Sequence, residues 1–242
     1  MSPFAPWSLL ITAVAIAIAW ALTWQFQRMG RQQVGLGRLA TSLCVGVWLW
    51  LITALMASLI GFFPNPTRFG PDDLPGFLLF GTLMTLPVIG FLLGMERSDQ
   101  LRRLIGAIPT HWLVGLQVYR LAGVIFLVFL ADGQVPTWWG VSTGSADLLV
   151  GVMALPLAWG LAHNTGWAHP AAIGWNLLGL ADFAHAIGYV FLAFFGAISA
   201  DPAPALIGLH PLALLALFQV PLAIIIHGLL LSRLVGLPPH TR

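Results

Sequence analysis

The chain has 242 residues, 59% of them hydrophobic and only 7% charged, with a mean hydropathy of +0.91. A water-soluble domain carries about 25% charged residues, so the polar surface needed to cover a globule in water is missing here. A soluble enzyme, a nucleic-acid binder and a disordered chain are excluded, and an all-α polytopic membrane protein is expected. The formal charge of +2 comes from ten Arg against eight acids, with no Lys anywhere. A retinal-binding seven-helix protein is excluded by the same count, because retinal needs a lysine amine for its Schiff base. An Ala-, Gly-, Leu-, Pro- and Arg-rich sequence without Lys also fits a GC-rich bacterial genome.

A spanning helix needs about 20 mostly apolar residues, and seven continuously apolar stretches meet that length within a single transmembrane domain covering 1–242. The first, 7–26, has no basic residue before it and reads as a retained anchor rather than a cleaved signal. The second, 39–63, contains Cys44, the chain's one cysteine, which excludes an intrachain disulfide and reads as a buried, inert thiol. The third, 76–95, carries Gly90-x-x-x-Gly94, a pattern that lets a neighbouring helix approach closely. The mixed stretch from Glu96 to Pro109 follows and is expected to lie along the interface as a short helix. The fourth span is 111–131. The outer loop after it, Asp132 to Ser145, reads as a Gly/Pro turn with interfacial tryptophans. Spans at 143–163, 171–198 and 210–235 complete the set.

The loops orient the bundle. Arg28, Arg31, Arg38, Arg97, Arg102, Arg103, Arg233 and Arg242 fall on one side, and only Arg68 on the other. The positive-inside rule then puts the N-terminus outside and the C-terminus in the cytoplasm. Trp7, Trp138 and Trp139 fall at the outer interface and Trp24, Trp112 and Trp167 at the inner one, as an aromatic belt requires. A proline recurs at similar depth in three inward-running spans, at Pro87, Pro156 and Pro221. That echo suggests three related hairpins kinked at one level.

Ionisable groups within spans are expensive and mark candidate sites. Gln117 and Arg120 are three residues apart on one helical face, and a rise of about 1.5 Å per residue puts Arg120 near the midplane. Asp182 matches it in depth on the sixth span, with Asn176 before it and His185 one turn further out. Asp147 sits higher on the fifth span, within reach of a long guanidinium, and Gln219 lies near the middle of the seventh. A buried Arg cannot shed its proton and has to meet an acid. One Arg between two Asp leaves a net negative site that needs a proton or a cation. The competing reading is a buried pair that fixes helix register, with Gln117, Asn176 and Gln219 as interhelical glue. No metal site is expected, since no His-x-x-x-His or Glu-x-x-His spacing occurs. A bis-His haem would pair His185 with His210, or His227 with His111 or His163; otherwise no cofactor is expected.

Gln117-Val-Tyr-Arg120-Leu-Ala-Gly123, Gly144-Ser-Ala-Asp147 and Trp175-Asn176-Leu-Leu-Gly179-Leu-Ala-Asp182 together resemble a pattern in uncharacterised bacterial multi-span membrane proteins. The resemblance covers about a third of the chain. It implies that Gln117, Arg120, Asp147, Asn176 and Asp182 form one recurring constellation, and it leaves His185 out. The leading functional expectation is transport, or binding of a small or lipophilic ligand, at a midplane site in the bacterial cytoplasmic membrane. The alternatives are an intramembrane enzyme acting on a lipid or isoprenoid, a b-type haem protein, and an accessory subunit of a membrane complex. The expected partners are the lipid bilayer, the ligand and either further copies or a larger assembly, with no nucleic acid.

Overall fold

A computed structural model describes residues 5–63 and 68–236; Arg242 and the start of the Met1–Pro6 segment lie outside the described residues. The described chain has no strands, and seven of its helical stretches are long and apolar enough to cross a membrane. Continuous apolar runs with few acceptors outside the backbone leave the helix as the structure that satisfies every peptide group internally. Five of the seven are unbroken helices: α1 (Ala5–Gln32), α2 (Gly37–Ile60) and α3 (Leu74–Arg97) at the start of the chain, and the fifth and sixth spans later.

Between α3 and the fourth span lies α4 (Asp99–Gly106), the short helix expected from the mixed stretch. Ser98 caps it by accepting from the Leu101 amide at 3.2 Å, and Leu101, Leu104 and Ile105 form its buried face. Two arginines bond to carbonyls at or just past helix ends on this side of the bundle. Arg102 donates to the Met95 and Glu96 carbonyls at the end of α3 (2.6 and 2.8 Å). Arg233 donates to those of Ile105 and Ile108 at the end of α4 (both 2.7 Å).

The fourth span is not one helix. It runs as α5 (Thr110–Leu116), a 3-10 stretch (Gln117–Gly123) and α6 (Val124–Ala131). The fifth span, α7 (Thr137–Ala162), starts six residues earlier than the sequence suggests, so the Gly/Pro turn expected up to Ser145 is helical from Thr137 onward. As a result Asp147 stands nearer the middle of its helix than the sequence reading placed it. The sixth span is α8 (Ala168–Phe194). The seventh is again interrupted: α9 (Leu212–Leu214), a π-helical stretch (Leu215–Gln219) and α10 (Val220–Leu234), with Pro221 at the start of α10.

The three prolines therefore do not act alike. Pro87 and Pro156 lie inside continuous α3 and α7, whereas only Pro221 accompanies a break. The other broken span contains no proline at all between Thr110 and Ala131. The two interrupted spans are also the centre of the molecule: 56% and 67% of their apolar windows are buried within the protein, against 6% for α3.

α7 receives the fourth span along a seam of small residues. A Cβ at Gly144 would meet Leu127 at 2.8 Å, and one at Gly151 would meet the Leu121 amide nitrogen at 2.8 Å. A stripe of glycines is what allows two backbones to approach this closely. In contrast, Gly90 of the Gly-x-x-x-Gly pattern has open space beside it, and only Gly94 makes a close approach, to Leu101 of α4.

Candidate functional site

In a 3-10 helix, residues three apart stand above one another, so Gln117, Arg120 and Gly123 form one row on the fourth span. All three are buried. Gly123 leaves the space that the Asp147 side chain occupies; a Cβ there would overlap the carboxylate. The Arg120 guanidinium is thereby held between three helices. Its Nε donates to Asp147 Oδ1 on α7 at 2.6 Å, and its Nη2 donates to Asp182 Oδ2 on α8. The planar fork of Arg suits such a divided grip, which a lysine ammonium would not reproduce. The Phe183 ring lies against the guanidinium carbon at 4.3 Å, a cation–π contact in a site closed to water.

The third nitrogen, Nη1, lies 3.2 Å from His227 Nε2 on α10. Arginine has no acceptor, so this ring nitrogen must accept and the imidazole is neutral, with its proton on Nδ1. The rest of the network agrees: Nδ1 faces Asn176 Oδ1 at 2.7 Å, and Asn176 Nδ2 donates to the His227 carbonyl at 3.0 Å. Gly179, one turn before Phe183, makes room for this ring; a Cβ at that position would lie 2.5 Å from His227 Nε2.

The two interrupted spans face each other here. Tyr119 donates its hydroxyl to the Gln219 carbonyl at 3.1 Å, joining the 3-10 stretch to the π-helical one. Pro221 has no N–H, so the α-helical i+4 donor to the Leu217 carbonyl is missing. The Trp50 indole of α2 supplies that bond at 2.9 Å. A cavity of about 20 Å³ lies against the cluster, with Tyr119, Arg120, Asp147, Phe183 and Gln219 among its walls.

The sequence-predicted residues therefore separate into groups. Arg120, Asp147 and Asp182 are in direct contact, and Asn176 joins them through His227. Gln117 is fully buried but makes no side-chain hydrogen bond among the described residues, and the same holds for Gln219 Nε2. His185 lies outside the network and pairs with Ser142 at 2.8 Å. His210 pairs with Ser58 at 2.8 Å, and burial pulls its pKa below the ordinary histidine range. Both ring nitrogens of His227 are engaged, one by Arg120 and the other by Asn176, so neither is free for a haem iron in this arrangement.

Two members, His227 and Tyr119, are not singled out for this site by the sequence. His227 enters the sequence analysis only as a haem candidate, and its depth beside Asn176 is the signal that points to this site. Tyr119 is masked by its neighbours on the same helix. Gln25 of α1 is 1% exposed, and both its side-chain polar atoms lack hydrogen-bond partners among the described residues. It falls at the end of an apolar run and so reads as interfacial.

With the geometry in place, the comparison with known families is informative in one respect. The sequence model of a domain of unknown function, DUF8737, matches residues 77–235. The chain belongs to that family. The match starts in α3 and ends just after α10, so every member of the Arg120 network lies within the family's region, while α1 and α2 precede it. No curated protein and no solved structure gives a significant match.

Proposed function

We propose that this chain is a small transport protein of the bacterial cytoplasmic membrane, with its N-terminus outside. The Arg120–Asp147–Asp182 cluster would be its midplane binding site, seen in a closed state. One observation carries this reading: the two most buried spans both break at the cluster, and the breaks face each other through Tyr119 and the Gln219 carbonyl. Irregular backbone inside a bundle is the arrangement by which membrane carriers expose polar groups to a ligand and move around it. π-helical turns and internal 3-10 stretches recur at such hinges.

The lipid-enzyme alternative has less support. The larger cavity, about 350 Å³ between α2, α3 and the π-helical stretch, is lined by residues such as Trp50, Leu83, Leu86, Pro87 and Leu217 and by no ionisable side chain. A chain-shaped substrate there would have no acid to protonate it.

Site-directed thiol labelling tests the proposal. Cys44 is buried and is the one native cysteine, so a Cys44→Ser background reports on a single introduced thiol. Ala223 lines the small cavity and is 1% exposed. In vesicles, Ala223→Cys is expected to react with a membrane-impermeant maleimide added to one side or the other. A folded variant that stays unreactive from both sides would overturn the carrier reading.

A further inference from the structure

Deepening the carrier reading, we propose that the ligand coupled at this site is a single proton, held by the Asp147–Asp182 carboxylates with Asp182 Oδ1 as its seat. The argument is a charge count over every ionisable group that faces the cluster. Arg120 contributes one positive charge, and its guanidinium cannot be deprotonated. His227 from α10 is neutral, because it must accept from Arg120. Tyr119 is neutral, because its hydroxyl donates to the Gln219 carbonyl. Asp147 from α7 and Asp182 from α8 would contribute two negative charges if both were ionised. α6 has no charged residue, and the arginines of α1, Arg28 and Arg31, fall at its C-terminal end.

One negative charge is thus left over in a region closed to water, where an unbalanced charge is far more costly than a neutral acid. The oxygens are not equivalent. Asp182 Oδ2 is held by Arg120, while Asp182 Oδ1 is buried with no hydrogen-bond partner among the described residues. A bare anionic oxygen there is the most expensive atom in the site, and protonation converts it to an uncharged hydroxyl. The two carboxylates are bridged by one guanidinium, so the proton belongs to the pair and its loss from one acid is felt by the other.

A metal ion fits poorly. The described residues include no group of three or more His, Cys, Asp or Glu side chains placed to hold one. The guanidinium between the acids repels a cation, and a cavity of about 20 Å³ has room for about one water. A proton needs neither ligands nor space. In the proposed step, water-borne H⁺ adds to the Asp182 carboxylate to give the acid, taking the cluster from a net charge of −1 to neutral. The reverse step returns H⁺ to water on the side to which the site opens.

Infrared spectroscopy of the reconstituted wild type tests this directly. The C=O stretch of a protonated carboxylic acid is expected at neutral pH, shifting in heavy water and fading as the pH is raised. Asp182→Asn is expected to abolish the band. So is Asp147→Asn, because one remaining carboxylate balances Arg120 and no proton is needed. Asp132→Asn, in the loop after α6, leaves the band unchanged. Absence of the band from the wild type overturns the proposal, as does its persistence in Asp147→Asn, which would make the proton a local property of Asp182. The carrier reading fails separately: a band without Ala223→Cys labelling removes transport and keeps the proton, and labelling without a band does the reverse.

Discussion

The spans flanking the Arg120 cluster and the helix at the edge of the bundle follow opposite rules. α3 is continuous through its proline, almost entirely uncovered by protein, and apolar on every side, with Leu78, Leu86, Ile89 and Leu92 all more than half exposed. The fourth and seventh spans are the most buried, and both are broken. Regular helix is the solution where the surroundings are hydrocarbon, since there every peptide bond must be satisfied within the segment. Irregular backbone survives where neighbours supply the missing bonds, as the Trp50 indole does for Leu217. The contrast teaches that burial inside the protein is what permits the break, and one of the two breaks holds Arg120 against the Asp147 and Asp182 carboxylates of two unbroken helices.

The largest expected effect follows from removing the charge at that point. Arg120→Leu leaves two carboxylates facing each other in the core, and loss of one member of a buried ion pair costs about 3–5 kcal/mol. Purification is expected to yield little monodisperse protein. Asp147→Asn and Asp182→Asn added together should recover it, and a wild-type melting midpoint for the single variant would contradict the account. Glycines sharpen the same contrast. Gly179→Ala drives a Cβ against His227 and is expected to cost about 1–3 kcal/mol. Gly90→Ala on α3, with open space beside it, should stay within about 0.5 kcal/mol, as should Leu92→Ala on the same exposed face.

A subtler test concerns the carbonyl that Pro221 orphans. Trp50→Phe is expected to cost about 1 kcal/mol, the net worth of one hydrogen bond. In a Pro221→Ala background the restored N–H competes for the Leu217 carbonyl, so the same Trp50→Phe change should cost measurably less. Equal costs in both backgrounds would show that the indole does not substitute for the missing donor. The smallest effect is a pH dependence at His210. Its folded-state pKa is lowered by burial, so the neutral ring is favoured in the fold. That contribution is fully present above the unfolded value of about 6.5 and is lost as pH falls through the lowered one. Between about pH 7 and about pH 5 the wild type should lose more of its melting midpoint than His210→Gln does. Parallel curves would remove the Ser58–His210 pair from the account.

Much of this was legible in the sequence. Seven runs of about 20 apolar residues give the seven helices, and Leu101, Leu104 and Ile105 between charged residues give α4. Depth counting and the requirement for a counter-charge led from Arg120 to Asp182 and Asp147. The breaks were not legible, for a physical reason. Gln117 and Arg120, three residues apart, share a face in an α-helix as well as in a 3-10 one, so their spacing does not distinguish the 3-10 rise of Gln117–Gly123 from an α-helical one. Proline was a misleading guide, because Pro87 and Pro156 sit in unbroken helices with the same local sequence pattern as Pro221. His227 was hidden by the shift in register that the π-helical stretch imposes on everything after Gln219.

The central claim is that the two buried breaks are moving parts. Hydrogen–deuterium exchange of the protein in lipid nanodiscs, resolved to peptides, tests it most directly. If the claim holds, residues 117–123 and 215–219 exchange faster than the middle of α3, although they are far more deeply buried. If the cluster merely locks a static core, those two segments will be the slowest in the molecule, and that order would contradict the account.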